Sequence, residues 1–86
     1  MASYSLRIKP SAVKEIEALP TRDRRRFVAR IQALATDPRP SGREKLSGDE
    51  KYRVRQGNYR ILYEIVDRQL IVTVVKVGHR RDLYRR

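Results

Sequence analysis

Arginines recur at alternate positions in the segment YRVRQGNYRILY, which spans residues 52–63. Alternate side chains of a strand point to one face, so Arg53 and Arg55 would lie together, with Arg60 on the returning strand of a hairpin. Guanidinium groups bind phosphate oxygens through paired hydrogen bonds and stay charged at any working pH. The spacing predicts that this row, with Lys51 nearby, binds a phosphodiester backbone. The alternative is a solvated edge strand whose cations block aggregation.

A second group follows the last apolar run, in the segment VGHRRDLY at residues 77–84. Arg80 and Tyr84 are four positions apart, so a helical turn would place them on one side. A tyrosine beside arginines is suited to stacking on an unpaired base or to proton transfer. His79 is the best side chain here for proton transfer near neutral pH, although a surface histidine at a strand end is an equally good interpretation.

The chain offers no obvious ligands for a metal or a nucleotide cofactor. It has no cysteine and one histidine, and it lacks a glycine loop that would cradle phosphates. The carboxylates near the arginines have no metal-binding spacing; they are Asp49, Glu50, Glu64 and Asp67. Phosphodiester chemistry would therefore need neither metal nor cofactor, and it would use the 2′-hydroxyl of RNA as nucleophile. Because arginine is a poor general base, proton transfer would fall to His79, Tyr84, Glu50 or Lys51.

Length and charge narrow the functional class further. The 86 residues predict one domain, residues 1–86. A formal net charge of +11 favours a polyanionic partner such as nucleic acid or an acidic protein. The hydrophobic content of 40% is too high for a disordered basic tail. No signal segment or membrane-length apolar run is present, so we expect a cytoplasmic protein without a membrane partner.

Hydrophobic periodicity predicts the element order β-α-α-β-β-β. The strands are expected at residues 3–8, 51–55, 59–66 and 70–77, and the helices at about 11–19 and 21–36. Ser11 would cap the first helix. The fold class is α+β, with a small, mainly antiparallel four-stranded sheet and an α-hairpin packed on one face. The last strand is apolar on both faces and would be central and covered on both sides.

The second predicted helix carries a dense run of cations. They are Arg22, Arg24, Arg25, Arg26 and Arg30. The run lies opposite the apolar stripe that includes Phe27 and Ile31, where charge is expected in any case. We therefore interpret it as a solvated face, with a docking site for an acidic partner as the second interpretation.

The element order, the hairpin YRVRQGNYRILYEI and the terminal VGHRRDLY together resemble the RelE/ParE superfamily of bacterial toxins, most closely its RelE branch. The likeness covers nearly the whole chain. It implies the toxin of a type II toxin–antitoxin system, a ribosome-dependent mRNA interferase. Such an endoribonuclease enters the ribosomal A site and cuts the codon there by metal-free attack of the 2′-hydroxyl. The implied partners are a cognate antitoxin, the 70S ribosome and mRNA, with operator DNA reached only through the antitoxin.

The resemblance also assigns roles by position. The implied catalytic residues are Arg60, Arg80 and Tyr84, with His79 added as an acid/base candidate. The implied RNA- and phosphate-binding residues are Lys51, Arg53, Arg55 and Arg81. Arg80 would stabilise the transition state, and Tyr84 would stack on the target base.

Two departures from the family pattern affect these expectations. The best-characterised branch has lysines where this chain has Arg53 and Arg55, and a lysine loses its proton far more readily than an arginine. The general base is therefore open, which draws attention to His79. The chain also stops two residues after Tyr84, without the C-terminal helix of many relatives. The site would then be open or covered by antitoxin alone.

Two other functions remain open at this point. ParE-like members of the superfamily share the fold but inhibit DNA gyrase and cut no RNA. They typically lack the full set of arginines and tyrosine, so the set present here favours the ribonuclease. A third interpretation is a protein of the same fold that binds nucleic acid without catalysis.

Overall fold

The computed structural model describes residues 3–46 and 51–79, and these contain two helices and five strands. They are β1 (Ser5–Ile8), α1 (Pro10–Glu17), α2 (Thr21–Thr36), β2 (Glu44–Lys45), β3 (Lys51–Gln56), β4 (Tyr59–Val66) and β5 (Ile71–His79), with a 3-10 turn at Asp67–Gln69. The predicted α+β class is confirmed. The predicted count of four strands was one too low, because two polar residues without apolar alternation form β2.

The strands form one mixed sheet in the order β1-β5-β4-β3-β2. β1 runs parallel to β5, and the other neighbours are antiparallel. The first described strand therefore lies beside the last described strand. A two-residue turn joins β3 to β4, and Gly57 in it has a φ of 63°, which glycine adopts at little cost.

The core lies between the two helices and one face of the sheet. Phe27, Ile31 and Leu34 follow the spacing of a core-facing stripe on α2 and are at most 2% exposed. They pack in one cluster with buried residues of α1 and the strands, which are Ala12, Ile16, Tyr52, Val54, Ile61, Tyr63, Ile65, Val72, Val74 and Val77. The predicted α-hairpin on one face is thus confirmed.

The start of α1 differs from the prediction. The helix begins at Pro10, and Lys9 at the N-cap makes no capping hydrogen bond through its side chain. Proline suits the first helical position because its φ is already helical and its missing N–H would have no partner there. Ser11 therefore lies inside the first turn, and its prediction as the cap was wrong.

A bulge interrupts the ladder between β4 and β5. Leu62 faces Lys76 and Tyr63 faces Val74, so Val75 is an extra residue on β5. An extra residue exchanges the two faces of a strand beyond it. Accordingly, the buried positions of β5 change from even to odd numbers, and Val77 is 2% exposed.

The edge of β5 beyond its ladder with β1 is capped by α1. β1 pairs only with residues 71–74. Past that point, the Val77 N–H donates to Glu15 Oε1 at 2.8 Å, and Lys76 Nζ donates to Glu15 Oε2 at 2.9 Å. Among the described elements, helices cover only one face of β5, so the expected double cover is not observed there.

Candidate nucleic-acid interface

The β3–β4 hairpin places the predicted cations on one face of the sheet. Arg55 faces Arg60 directly across the ladder, and Lys51 faces Glu64. Directly opposed residues of an antiparallel pair project to the same side. The four cations therefore share a face, as predicted; they are Lys51, Arg53, Arg55 and Arg60. This face points away from the helices, because the alternate residues Tyr52 and Val54 belong to the core that the helices cover.

Two of these four cations lie within ion-pair distance of carboxylates. Arg53 Nε donates to Glu44 Oε1 at 2.9 Å, and Glu44 belongs to the unpredicted strand β2. Lys51 Nζ lies 3.8 Å from Glu64 Oε2. The nearby carboxylates weaken the electrostatic attraction of Lys51 and Arg53 for a phosphate.

The other two, Arg55 and Arg60, form no ion pair with any described carboxylate. Arg60 is 4% exposed, and its described hydrogen bond is a long one, from Nη1 to the Tyr59 carbonyl at 3.3 Å. Arg55 is exposed. A buried guanidinium with so little compensation is costly for the fold. An anion placed between the two side chains would remove that cost.

A depression of about 360 Å³ adjoins this pair and brings in a residue from α2. It is lined by Arg30, Gly42, Glu44, Arg55 and Arg60. The solvated-face interpretation holds for the other arginines of the run, which are exposed, but it was wrong for Arg30, which is half-buried. The available signal was its position beside Ile31 and three residues after Phe27, at the border of the apolar stripe.

His79 does not join the arginines. It faces Tyr59 across the β4–β5 ladder, and the two ring centroids are 5.7 Å apart. Tyr59 in turn contacts Phe27 of α2 edge-to-face at 5.3 Å. His79 therefore lies on the helix side of the sheet, because the bulge at Val75 exchanges the faces of β5 before the strand reaches it. In a regular strand it would have shared the face of Arg60.

Several predicted site residues lie outside the described ranges. They are Arg80, Arg81 and Tyr84, together with Glu50, the carboxylate considered for proton transfer. Within the described ranges, no three His, Asp or Glu side chains gather as a metal-binding set. Neither described helix is long and apolar enough to cross a membrane.

A polar cluster fixes the connection between α2 and β2, which borders the depression. Arg39 donates two hydrogen bonds to the Asp67 carboxylate, at 3.2 and 2.9 Å, and a third to the Tyr52 hydroxyl at 3.1 Å. Tyr4 donates to Asp67 Oδ1 at 2.6 Å. The bonds from Arg39 and then Tyr4 lower the pKa of Asp67, and the same carboxylate raises the pKa of Tyr4.

Tyr63 holds the same connection from the core. Its ring is 1% exposed, and its hydroxyl donates to the Pro38 carbonyl at 2.7 Å. Burial raises the pKa of Tyr63 to about 12, and the nearby Tyr52 adds to the rise. The connection anchored by these contacts carries Gly42 and leads into Glu44, and both of these residues line the depression.

Comparison with known proteins identifies the family. A family model described as "ParE toxin of type II toxin-antitoxin system, parDE" matches residues 6–84. The toxin RelG of Mycobacterium tuberculosis is 33% identical over 87 residues, which cover 96% of this chain and 98% of RelG. The chain belongs to the RelE/ParE superfamily of type II toxin–antitoxin toxins. The resemblance drawn from the hairpin and the terminal segment is thereby confirmed.

Solved structures of RelE proteins share the fold. A chain of the RelBE2 toxin–antitoxin complex of M. tuberculosis matches with a TM-score of 0.80 at 27% identity, covering 92% of this chain and 100% of its own. A chain of the archaeal RelE–RelB complex of Pyrococcus horikoshii matches with the same TM-score and identity, over 91% and 96%. The family match runs to Tyr84 and so includes the segment of Arg80 and Arg81.

Proposed function

We propose that this toxin is a ribosome-dependent mRNA interferase, an endoribonuclease that cuts the codon in the ribosomal A site. The observation that carries the proposal is the pair Arg55 and Arg60, two guanidinium groups held side by side on a rigid hairpin without a described carboxylate partner. Similarity to RelE-type toxins such as RelG adds support.

The reaction follows from the charges that develop. The 2′-hydroxyl of the ribose attacks the adjacent phosphorus, the bond to the 5′-oxygen breaks, and a 2′,3′-cyclic phosphate and a free 5′-hydroxyl result. The phosphate gains negative charge in the transition state, and fixed guanidinium groups stabilise such charge without reorganising. Arg60 is the fixed donor of the pair, since it is buried, whereas Arg55 is exposed and binds the backbone.

The remaining roles are proposals taken from the family pattern. Arg80 stabilises the transition state, Arg81 binds the RNA backbone, and Tyr84 stacks on the target base. Lys51 and Arg53, which also contact carboxylates, bind the RNA backbone. The reaction uses neither metal nor cofactor.

Proton transfer needs groups other than arginine. One proton leaves the 2′-hydroxyl, and one reaches the departing 5′-oxygen. His79 lies on the other face of the sheet from Arg60, so the proposal places it outside the reaction. It retains Tyr84, Glu50 and Lys51 for these two transfers.

The proposed partners are the 70S ribosome, mRNA and a cognate antitoxin in the cytoplasm. The similar RelE chains come from toxin–antitoxin complexes, which supports an antitoxin for this toxin as well. A net charge of +11 favours an acidic antitoxin segment, whose association would be fast and sensitive to salt. Operator DNA would be reached only through the antitoxin.

Primer extension on an mRNA in a reconstituted translation system tests the proposal. We expect cuts within the A-site codon that require ribosomes. Arg60→Ala and Arg80→Ala should each lower the cleavage rate by about a hundredfold or more, the scale of removing one preorganised donor. Arg68→Ala is the matched control, since Arg68 is exposed on the 3-10 turn. Wild-type rates in both site variants would refute the assignment.

The second candidate function is inhibition of DNA gyrase. The observation in its favour is the description of the matching family model, which names the ParE toxin. A gyrase supercoiling assay separates the two candidates. Inhibited supercoiling with intact mRNA would establish the ParE-like function and exclude the interferase.

A further inference from the structure

We infer that Arg30 of α2 is a phosphate-binding residue and that it holds a phosphodiester group of the RNA strand next to the one being cut. The inference rests on the proposed function for the identity of the ligand. It assigns Arg30 as a positioning residue, which touches the substrate away from the reacting atoms.

Arg30 has an unsatisfied donor within the protein. Its Nε is buried and has no hydrogen-bond partner among residues 3–46 and 51–79. A buried donor without a partner destabilises the fold, and more strongly when it belongs to a charged group. Proteins rarely leave such a group unpaired unless a ligand or water supplies the acceptor. An acceptor that enters the adjoining depression would satisfy it.

The charges around the depression select an anion. Arg30, Arg55 and Arg60 all line it, and Glu44 is its only acidic lining residue among the described residues. Glu44 already accepts a 2.9 Å hydrogen bond from Arg53, outside this lining set. Three guanidinium groups thus share a small volume with little compensation, and they repel one another until an anion binds between them.

Size and geometry favour a phosphodiester over a smaller anion. The depression has a volume of about 360 Å³, at the lower end of the range for ligand sites. Gly42 contributes no side chain to its wall, and a Cβ built there would meet nothing within 4 Å. The guanidinium forks of Arg30 on α2 and Arg55 on the hairpin would bind different oxygens of one phosphate. When Arg60 contacts the scissile phosphate, Arg30 contacts the next phosphate along the RNA.

The direct test observes the Arg30 Nε–H group itself in the wild-type toxin. In a ¹⁵N-edited NMR spectrum, each arginine Nε–H gives its own signal, and Arg30→Gln assigns the one in question. The probe is a single-stranded RNA 12-mer with 2′-O-methyl groups throughout, which cannot be cut. We expect the Arg30 signal to shift on titration at low salt. An unmoved Arg30 signal while other arginine signals shift would overturn the inference.

Variants provide the quantitative test. Fluorescence anisotropy with the same probe at several KCl concentrations gives the affinity and its salt dependence. Arg30→Gln should weaken binding roughly tenfold to a hundredfold, and should reduce the slope of log K against log salt by about 0.7, as expected for one lost phosphate contact. Arg25→Gln removes the same charge from an exposed site on the same helix and is the matched control. Equal slopes for the two variants would refute the phosphate contact.

A kinetic readout separates this site from the proposed reaction. In the ribosome-dependent cleavage assay, Arg30→Gln should raise KM more than it lowers kcat, whereas Arg60→Ala should mainly lower kcat. A fall in kcat alone for Arg30→Gln would count against a positioning role. A wild-type toxin that binds the probe through Arg30 but cuts no mRNA would refute the interferase proposal and leave the phosphate site intact.

Discussion

Arg60 gives the sharpest prediction, because stability and activity should move in opposite directions when it is replaced. The change is Arg60→Met, which keeps an unbranched apolar stem and removes the charged guanidinium group. Arg60 is 4% exposed, its described hydrogen bond spans 3.3 Å, and no described carboxylate pairs with it. Within the described residues, this buried cation has little compensation, and a bound anion would supply it.

The magnitude follows from the two opposing contributions. Burying an ion costs several kcal/mol even after the protein relaxes, and a hydrogen bond made by a charged group returns about 1.5–3 kcal/mol. We expect Arg60→Met to increase the free energy of unfolding by at least about 1 kcal/mol. For a domain of this size, that raises Tm by about 4–8 °C. Cleavage should fall by about a hundredfold or more.

Thermal unfolding in a buffer without phosphate or sulfate checks the first half of the prediction. Adding phosphate should raise the Tm of the wild type more than that of Arg60→Met, because only a ligand that prefers the folded state stabilises it. Arg68→Met, at an exposed position, should change stability by less than about 0.5 kcal/mol. A lower Tm for Arg60→Met, or an equal response to phosphate, would show that the protein already compensates this charge.

Three further predictions concern the contacts that support the site. Tyr63→Phe removes a buried hydrogen bond and should lower the free energy of unfolding by about 1–2 kcal/mol at pH 7. Because burial raises the pKa of Tyr63 from 10.0 to about 12, the folded state keeps a proton that the unfolded state releases between these values. Through this group, the free energy of unfolding of the wild type should therefore fall by about 1.4 kcal/mol per pH unit between pH 10 and 12. Urea titrations at several pH values measure this dependence, and an equally steep fall in Tyr63→Phe would contradict the prediction. The hydrogen bond from Arg39 lowers the pKa of Asp67 below 3.8, so the stabilisation of the fold by this carboxylate is present above pH 3.8 and is lost as the pH falls below it. In a plot of Tm against pH, Asp67→Asn should therefore reduce the fall of Tm in acid. An unchanged fall would show that the Asp67 carboxylate does not stabilise the fold. Glu15→Ala should lower the free energy of unfolding by about 1–2 kcal/mol, and Glu15→Gln should lower it by less, since glutamine still accepts a hydrogen bond from the Val77 N–H. If thermal melts show equal losses for the two variants, that hydrogen bond is not the cause.

The arginine face was predictable because it depends on local rules. Alternation along β3 fixes the common face of Arg53 and Arg55, and the short turn at Gly57 fixes the register that brings Arg60 opposite. Both features are contained within a dozen residues. The helices were equally predictable, because the stripe formed by Phe27 and Ile31 has the helical period.

The positions of His79 and Arg30 depend on contacts that no local pattern encodes. His79 changes face because of one extra residue, Val75, within a run of β-branched residues that would pair equally well without it. Arg30 enters the depression because the connection after α2 folds back to form β2. That strand pairs through two polar residues, Glu44 and Lys45, whose sequence carries no strand period.

The pairing of β1 with β5 has a consequence for how the toxin folds. Ser5 faces Ile71 across the β1–β5 ladder, so β1 has no partner until β5 has been synthesised and has left the ribosomal exit tunnel. Closing so long a loop is entropically costly, and contacts of this kind form late in folding. The β3–β4 hairpin, by contrast, closes locally. A folding chain therefore forms its arginine face before its sheet is complete, and the β1–β5 ladder closes only after β5 is available.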